Sequence, residues 1–278
     1  MPIITLTTDF GLKDPYVGAL KGALLKEMSD AQVIDISHLI SPFHIAETAY
    51  IIQNAYHNFP DGTVHIIGVD AELTPHNRHV VVFLNGHYFV CADNGVLSLI
   101  VNKIRPELMV EITINDRVDD TMAAIEVFIK TACHIARGGK LELIGKPISE
   151  LKEVIPILAK KTDDDLTIYG QVIYIDNYGN AITNINAALM KEVGKGRSFI
   201  IAARSTKLKR VYERYSDIGY ENPNKQVQNV DGLAVAVFNS SGHLELATYK
   251  SNPLTVGSAA SLFGLQVDAP VIVTFDKL

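Results

Sequence analysis

Two aspartates stand where β-rich runs stop. Asp9, in Thr8-Asp9-Phe10-Gly11, follows the strand Ile3-Ile4-Thr5-Leu6-Thr7, while Asp70 closes Thr63-Val64-His65-Ile66-Ile67-Gly68-Val69. In an open parallel α/β sheet, ligands bind at the carboxyl ends of the strands, so both carboxylates are expected on the binding edge. A carboxylate there can accept two hydrogen bonds from a vicinal diol such as a ribose, or orient a water. Asp9 has a plainer use as well, capping the next helix or shaping its turn. Asp93, in Asp93-Asn94-Gly95, either joins the pair or fixes a turn before the glycine.

In the second half, Ile175-Asp176-Asn177-Tyr178-Gly179-Asn180-Ala181-Ile182-Thr183-Asn184 places an aromatic ring and polar amides in a glycine-bearing loop. Such a loop can stack Tyr178 on a nucleobase and offer the Asn180 amide to its edge, or it is a hairpin whose Asn-rich turn exists for geometry. Asn239-Ser240-Ser241-Gly242 could hold a small carboxylate through hydroxyl and backbone donors. Nine histidines occur without HxH or HExxH spacing, and His76 and His79 read as solvated residues of one loop after Asp70. Cys91 and Cys133 are far apart, so neither a disulfide framework nor a thiolate zinc site is expected, and no metal site is indicated. There is no glycine-rich phosphate loop; Gly138-Gly139 reads as a helix stop.

These residues need a scaffold. From residue 1 to about 160, apolar strands alternate with helical periods, the pattern of a parallel-sheet α/β domain. Val17, Leu20, Leu24 and Met28 share a helical face, and Gly18 and Gly22 form a small stripe that would let this helix approach the sheet. Val33 to Ile36 reads as a short buried strand, residues 44 to 58 as a helix, and residues 121 to 137 as the last helix of this half. Asn85-Gly86 between two apolar runs predicts a hairpin with a type I′ turn. The charge run from Lys160 to Asp165 marks the boundary, giving domains 1–162 and 166–278. Beyond it, strands at 167–175, 198–202, 232–238, 244–248 and 271–275 with few helices predict a smaller all-β barrel domain. The fold class is thus an α/β N-terminal domain, with a mostly parallel sheet in Rossmann-like layers, followed by an all-β C-terminal barrel.

With 278 residues, 47% hydrophobic and 20% charged, the chain can bury a sizeable core in two domains. A formal charge of −6 gives no attraction to nucleic acid or to an anionic membrane, and the basic run from Arg204 to Arg214 reads as a solvated face. No stretch is long enough to span a membrane and the start lacks a signal pattern, so the cytoplasm is the expected compartment.

Taken in order, Thr8-Asp9-Phe10-Gly11 with Asp14, Tyr16, Val17 and Gly18, then Lys21-Gly22, Phe59-Pro60-Asp61-Gly62-Thr63-Val64-His65, Val69-Asp70, Asp93-Asn94-Gly95, residues 175 to 184, Asn239 to Glu245 and Gly257-Ser258-Ala259-Ala260 resemble one family over nearly the whole chain. It is the S-adenosylmethionine hydroxide adenosyltransferase family, related to the fluorinating and chlorinating enzymes. The resemblance implies an α/β domain, a β-barrel domain and a homotrimer with sites between subunits. It implies that Asp9, with Phe10 beside it, holds the ribose hydroxyls, that Tyr178 and Asn180 sit against adenine, that Asp176 meets the methionine amine, and that Ser240 meets its carboxylate. S-adenosylmethionine is then the substrate and no cofactor is needed. Hydrolysing members carry an Asp, an Arg and a His around the attacking water. The Asp matches Asp70, whereas the Arg position falls on Asn77, with Arg78 next to it, and the His position falls on Ala123; only Thr121, Glu126 and Phe128 keep the surrounding pattern. His76 or His79 stands near enough in sequence to replace that His. The expected reaction is attack of water at the ribose C5′, giving adenosine and methionine; the alternative is a binding protein for S-adenosylmethionine or adenosine that has lost turnover. A halide nucleophile fits poorly, because Asp70 would repel it.

Overall fold

The computed structural model describes residues 1–101, 104–114, 123–220 and 230–277. Contacts divide the chain into two compact units, Met1–Pro156 and Ile157–Leu278.

In the first unit, β1 (Ile3–Thr8), α1 (Tyr16–Glu27), β2 (Gln32–Ser37), α2 (Ile45–Ala55), β3 (Val64–Gly68), β4 (His79–Leu84), β5 (His87–Ala92), α3 (Val96–Val101), β6 (Leu108–Ile112), α4 (Ala123–Ala136) and β7 (Gly145–Pro147) follow in order. The seven strands form one sheet in the order β2-β1-β3-β5-β4-β6-β7. Alternation along β3 explains its burial: Val64 and Ile66 pack with Leu20 and Leu24 of α1 and Phe128 and Ala132 of α4, whereas Ile67 faces Ile52 of α2 and Leu97 of α3. Helices therefore cover both faces, which requires the near-continuous apolar runs the strands show.

The sheet is mixed rather than mostly parallel. Pairings β1–β2, β1–β3 and β3–β5 are parallel, and β4–β5, β4–β6 and β6–β7 are antiparallel. The cause is the Asn85-Gly86 turn, with φ values of 50° and 79°, the type I′ geometry that reverses the chain and starts the antiparallel half. Two further expectations change. Val33–Ile36 belongs to an edge strand that is only half buried, and Gly18 and Gly22 lie on the exposed face of α1, where an added Cβ would meet nothing within 4 Å. Thr121 and Met122, expected in the last helix, lie outside the described residues.

In the second unit, β8 (Lys160–Lys161), β9 (Thr167–Ile175), β10 (Ala181–Asn186), α5 (Ala187–Gly194), β11 (Phe199–Ala203), β12 (Thr206–Leu208), β13 (Ala234–Phe238), β14 (His243–Thr248), α6 (Ala259–Phe263) and β15 (Pro270–Phe275) build an antiparallel sheet in the order β12-β11-β15-β9-β10-β14-β13. A bridge between Tyr212 and Val237 joins the chain just past β12 to β13, so the sheet curls into a nearly closed barrel around Ile168, Val172, Ile185, Leu244, Leu246 and Val271. Lys160 and Lys161, expected in the linker, pair with Tyr169 and Ile168 as a short strand.

Candidate active site

Thr8 of β1 pairs with Gly68 of β3, and Ile67 of β3 with Cys91 of β5. Asp9, Asp70 and Asp93 therefore leave three neighbouring parallel strands at one edge of the first unit's sheet.

The turn carrying Asp9 is built from the segment after β2. Gly11, with φ 69°, donates its N–H to the His38 carbonyl at 2.7 Å. Buried His38 places Nδ1 2.7 Å from Thr8 Oγ1 and Nε2 3.2 Å from Asp35 Oδ1, and Lys21 Nζ donates to Asp35 Oδ2 at 2.6 Å. Partial burial pushes the Asp35 carboxyl up, but hydrogen bonds from Lys21 and His38 outweigh it and hold the pKa below the ordinary value. Asp9 Oδ2 accepts the Phe43 N–H at 2.9 Å. Phe43 has φ 62°, unusual for a bulky residue, and is 72% exposed beside the carboxylate. Sequence reasoning missed Phe43; its only signal was an aromatic after Ser41-Pro42 in a polar turn. Phe10 packs partly into the core, with its ring 5.8 Å from that of Tyr16.

Asp70 has φ 45°, a left-handed conformation that costs a non-glycine residue on the order of 1 kcal/mol. Two side chains hold it there. Asn94 Nδ2 donates to the carbonyls of Val69 (3.0 Å) and Asp70 (3.2 Å), and His79 Nε2 lies 2.9 Å from the Ala71 carbonyl. A carbonyl only accepts, so His79 carries its proton on Nε2. His79 is not a solvated loop residue: it opens β4, is 1% exposed, and meets the Phe128 ring of α4 at 4.7 Å. Burial lowers its pKa, so the ring is neutral near pH 7, and Nδ1 is buried without a partner among the described residues.

Arg78 turns to other acceptors. Nε donates to Asp93 Oδ2 at 3.0 Å and Nη2 to the Glu150 carbonyl at 2.6 Å, while Nη1 lies 3.6 Å from Glu111 Oε2. Asp93, only 4% exposed, also accepts the Lys152 N–H at 2.9 Å, so it is a structural acceptor rather than a free third carboxylate. Asn77 Oδ1 accepts from Lys152 Nζ at 3.1 Å, His76 is exposed, and Ala123 opens α4.

In the second unit the loop between β9 and β10 is organised by Asp176. Its Oδ1 accepts the N–H groups of Tyr178 (2.9 Å) and Asn180 (2.8 Å), and its Oδ2 accepts Asn180 Nδ2 at 3.0 Å. Gly179 is required twice over, by its φ of 71° and because an added Cβ would sit 2.2 Å from Ser258 Oγ; its carbonyl accepts the Ala260 N–H at 2.9 Å. Tyr178 is left 69% exposed. Ser240 is exposed in a tight turn closed by Gly242 N–H to Asn239 O at 2.8 Å. Behind both loops lies Glu245, 4% exposed, whose burial no local sequence pattern signals. Among the described residues, no group of three or more His, Cys, Asp or Glu is arranged to hold a metal ion.

Residues 4–145 match the SAM hydroxide adenosyltransferase N-terminal domain, and residues 170–272 match the C-terminal domain of the same name. The chain belongs to the SAM hydroxide adenosyltransferase family. Among its relatives in the family, the (R)-S-adenosyl-L-methionine hydrolase of Methanocaldococcus jannaschii is 34% identical over 66% of this chain and 67% of its own length. A hydrolase of that name from Thermus thermophilus is 26% identical over 95% of this chain and 96% of its own, and the fluorinase of Nocardia brasiliensis is 24% identical over 88% and 90%. The fold matches the crystal structure of a conserved protein from Thermotoga maritima with a TM-score of 0.81 at 23% identity, covering 98% of this chain and 99% of that one.

Proposed function

We propose that this family member hydrolyses S-adenosyl-L-methionine to adenosine and L-methionine, and that it acts on the (R) sulfonium epimer named for its hydrolase relatives. The observation that carries the reading is the Asp70 turn. Its left-handed backbone is held by Asn94 and His79 beside the Asp9 edge, and strain that surrounding groups maintain is characteristic of functional positions. Asp9 accepts the ribose hydroxyls, and the exposed ring of Tyr178 and the amide of Asn180 take adenine. Asp176 takes the methionine ammonium and Ser240 its carboxylate. Asp70 orients a water against C5′ and takes its proton as the C5′–O bond forms and the C5′–S bond breaks, and the thioether leaves from the sulfonium as neutral methionine. That leaving group needs no general acid, so catalysis consists of orienting the water, excluding bulk solvent and placing C5′ in line. No cofactor takes part. Exposed Leu12, Leu39 and Phe43 in the first unit and Tyr178, Leu254 and Val256 in the second support burial of these surfaces in a homotrimer with sites between subunits.

A second reading, a binding protein without turnover, is favoured by the three acceptors that hold Arg78 and by Ala123 at the family's His position. Incubation with a mixture of the two sulfonium epimers separates the readings. Loss of the (R) epimer with equimolar adenosine and methionine supports hydrolysis. Saturable binding with adenosine no faster than a buffer blank rejects it.

A further inference from the structure

Glu245 occupies the middle of β14, paired with Ile182 of β10 on one side and Val237 of β13 on the other. Its neighbours Leu244 and Leu246 point into the barrel core. By strand alternation Glu245 points to the opposite face, where Val235, Val237 and Ala247 gather under Tyr212 and Ile218. An apolar side chain would complete that patch without the cost of burying a carboxylate. The barrel therefore has no need of a glutamate here.

The partners of the carboxylate come from three separate segments. Tyr215, in the 3-10 turn Tyr215–Tyr220, donates its hydroxyl to Oε1 at 2.5 Å. Strand register brings Asn180 and Asn239 to the same region: each lies two residues from a direct neighbour of Glu245, Ile182 on one side and Val237 on the other, and both amides favour the charged form of the carboxyl. Asn180 closes the loop that Asp176 organises, and Asn239 opens the turn that carries Ser240. Burial, opposed by the Tyr215 hydrogen bond and reinforced by the charge of Asp176, leaves the Glu245 pKa above the ordinary carboxylate value.

We infer that Glu245 is a positioning residue that ties the Asp176–Asn180 loop to the Asn239–Gly242 turn, so that the nucleoside-binding and amino-acid-binding loops of this unit act as one recognition surface. The inference rests on the S-adenosylmethionine reading above. Glu245 touches no substrate. Main-chain pairing of β10 and β13 with β14 brings the two loops side by side, and Glu245 fixes how the Asn180 and Asn239 side chains are presented from them.

The test uses the full-length protein with Glu245→Gln and Glu245→Leu, titrated by calorimetry with adenosine and with L-methionine separately, alongside steady-state kinetics with S-adenosylmethionine. Glutamine keeps an acceptor for Tyr215 and exchanges the other oxygen for a donor. It should raise KM roughly tenfold with kcat within about twofold, because the water-orienting residue lies elsewhere. Leucine, which fills the apolar patch, should leave the far-ultraviolet circular dichroism unchanged and weaken both fragments together by about ten- to a hundredfold; the partial rescue by glutamine separates the tie from mere packing. A folded Glu245→Leu protein that binds both fragments like wild type, or that loses only one, overturns the tie. Should Glu245→Leu fail to fold, an unchanged KM in Glu245→Gln overturns it. A wild-type protein that binds neither fragment overturns the substrate reading and the tie with it.

Discussion

The sheet edge of the first unit and the paired loops of the second solve the same problem by opposite means. At the sheet edge, backbone does the placing: parallel strands end in register, and Asp9 and Asp70 emerge from turns whose carbonyls and N–H groups are held by His38, Asn94 and His79. In the second unit, side chains do it: Asp176 folds its own loop, and Glu245 joins that loop to the Asn239 turn. The first arrangement fixes single atoms for chemistry, and the second fixes a span for recognition. Substitutions should divide accordingly, turnover being lost at the first and affinity at the second.

Asp70→Ala should have the largest effect. Removing the group that orients water costs about 10²- to 10⁴-fold in kcat by analogy with general base removal, while S-adenosylmethionine binding measured by calorimetry stays within a few-fold of wild type. Parallel loss of affinity would show that Asp70 holds the substrate as well as the water, and would dissolve the division at the residue where it is sharpest. Asp9→Ala comes next and crosses the line deliberately. It removes charge-assisted hydrogen bonds to the ribose, on the order of 2–3 kcal/mol or roughly a hundredfold in adenosine affinity. It also releases the Phe43 N–H, so hydrogen exchange of the residue 41–44 segment should rise with it. Equal adenosine binding by wild type and Asp9→Ala would remove Asp9 from the pocket.

How much of this was legible in the sequence follows the same division. Strand ends announce themselves through β-rich runs that stop at a polar residue, so the sequence alone puts Asp9 and Asp70 on one edge. The type I′ turn at Asn85-Gly86 was equally plain, yet its consequence was not: one reversal makes half of the sheet antiparallel. Arg78 stands out in the sequence only as the neighbour of Asn77, whereas Asp93, Glu111 and Glu150, the groups it meets, lie 15 to 72 residues away, and no local pattern reports them. His79 reads in the sequence as the end of the loop Thr74-Pro75-His76-Asn77-Arg78-His79, while pairing with Ala92 across the hairpin buries it. Glu245 closes the Asn239 to Glu245 stretch without a role that the sequence signals; only the 3-10 turn that carries Tyr215 shows that its face is covered.

Gly179→Ala tests the second unit by backbone rather than charge. The added Cβ would lie 2.2 Å from Ser258 Oγ at a φ of 71°. Loop and α6 must therefore separate, at a cost of about 1–3 kcal/mol in stability. Adenosine affinity should fall several-fold, with kcat at saturating substrate little changed. A fall in kcat alone would mean that this loop takes part in the chemical step.

The smallest effect concerns pH and separates fold from site within the first unit. His65 of β3 is fully buried toward the opposite end of the sheet from Asp70, with Nδ1 2.7 Å from Thr5 Oγ1 and Nε2 3.2 Å from His87 Nδ1. Burial, with His87 opposing a second positive charge, pushes its pKa down to about 3 from 6.5. The unfolded chain then binds the extra proton between those values, so the contribution of His65 to stability is present above 6.5 and is lost as pH falls toward 3. Between pH 7.5 and 5.5 the loss is on the order of 1 kcal/mol, read as a lower urea midpoint. The double substitution Thr5→Val with His65→Leu removes both partners of the buried hydrogen bond and should reduce that slope; His79, His87 and His243, shifted in the same direction by burial, keep the remainder. The kcat profile over the same range should match wild type, because neither residue lies at the Asp70 end of its strand. A kcat profile that moves with the urea midpoint would instead mean that the sheet transmits its state to the turn at Asp70, and that fold and chemistry in this unit cannot be varied independently.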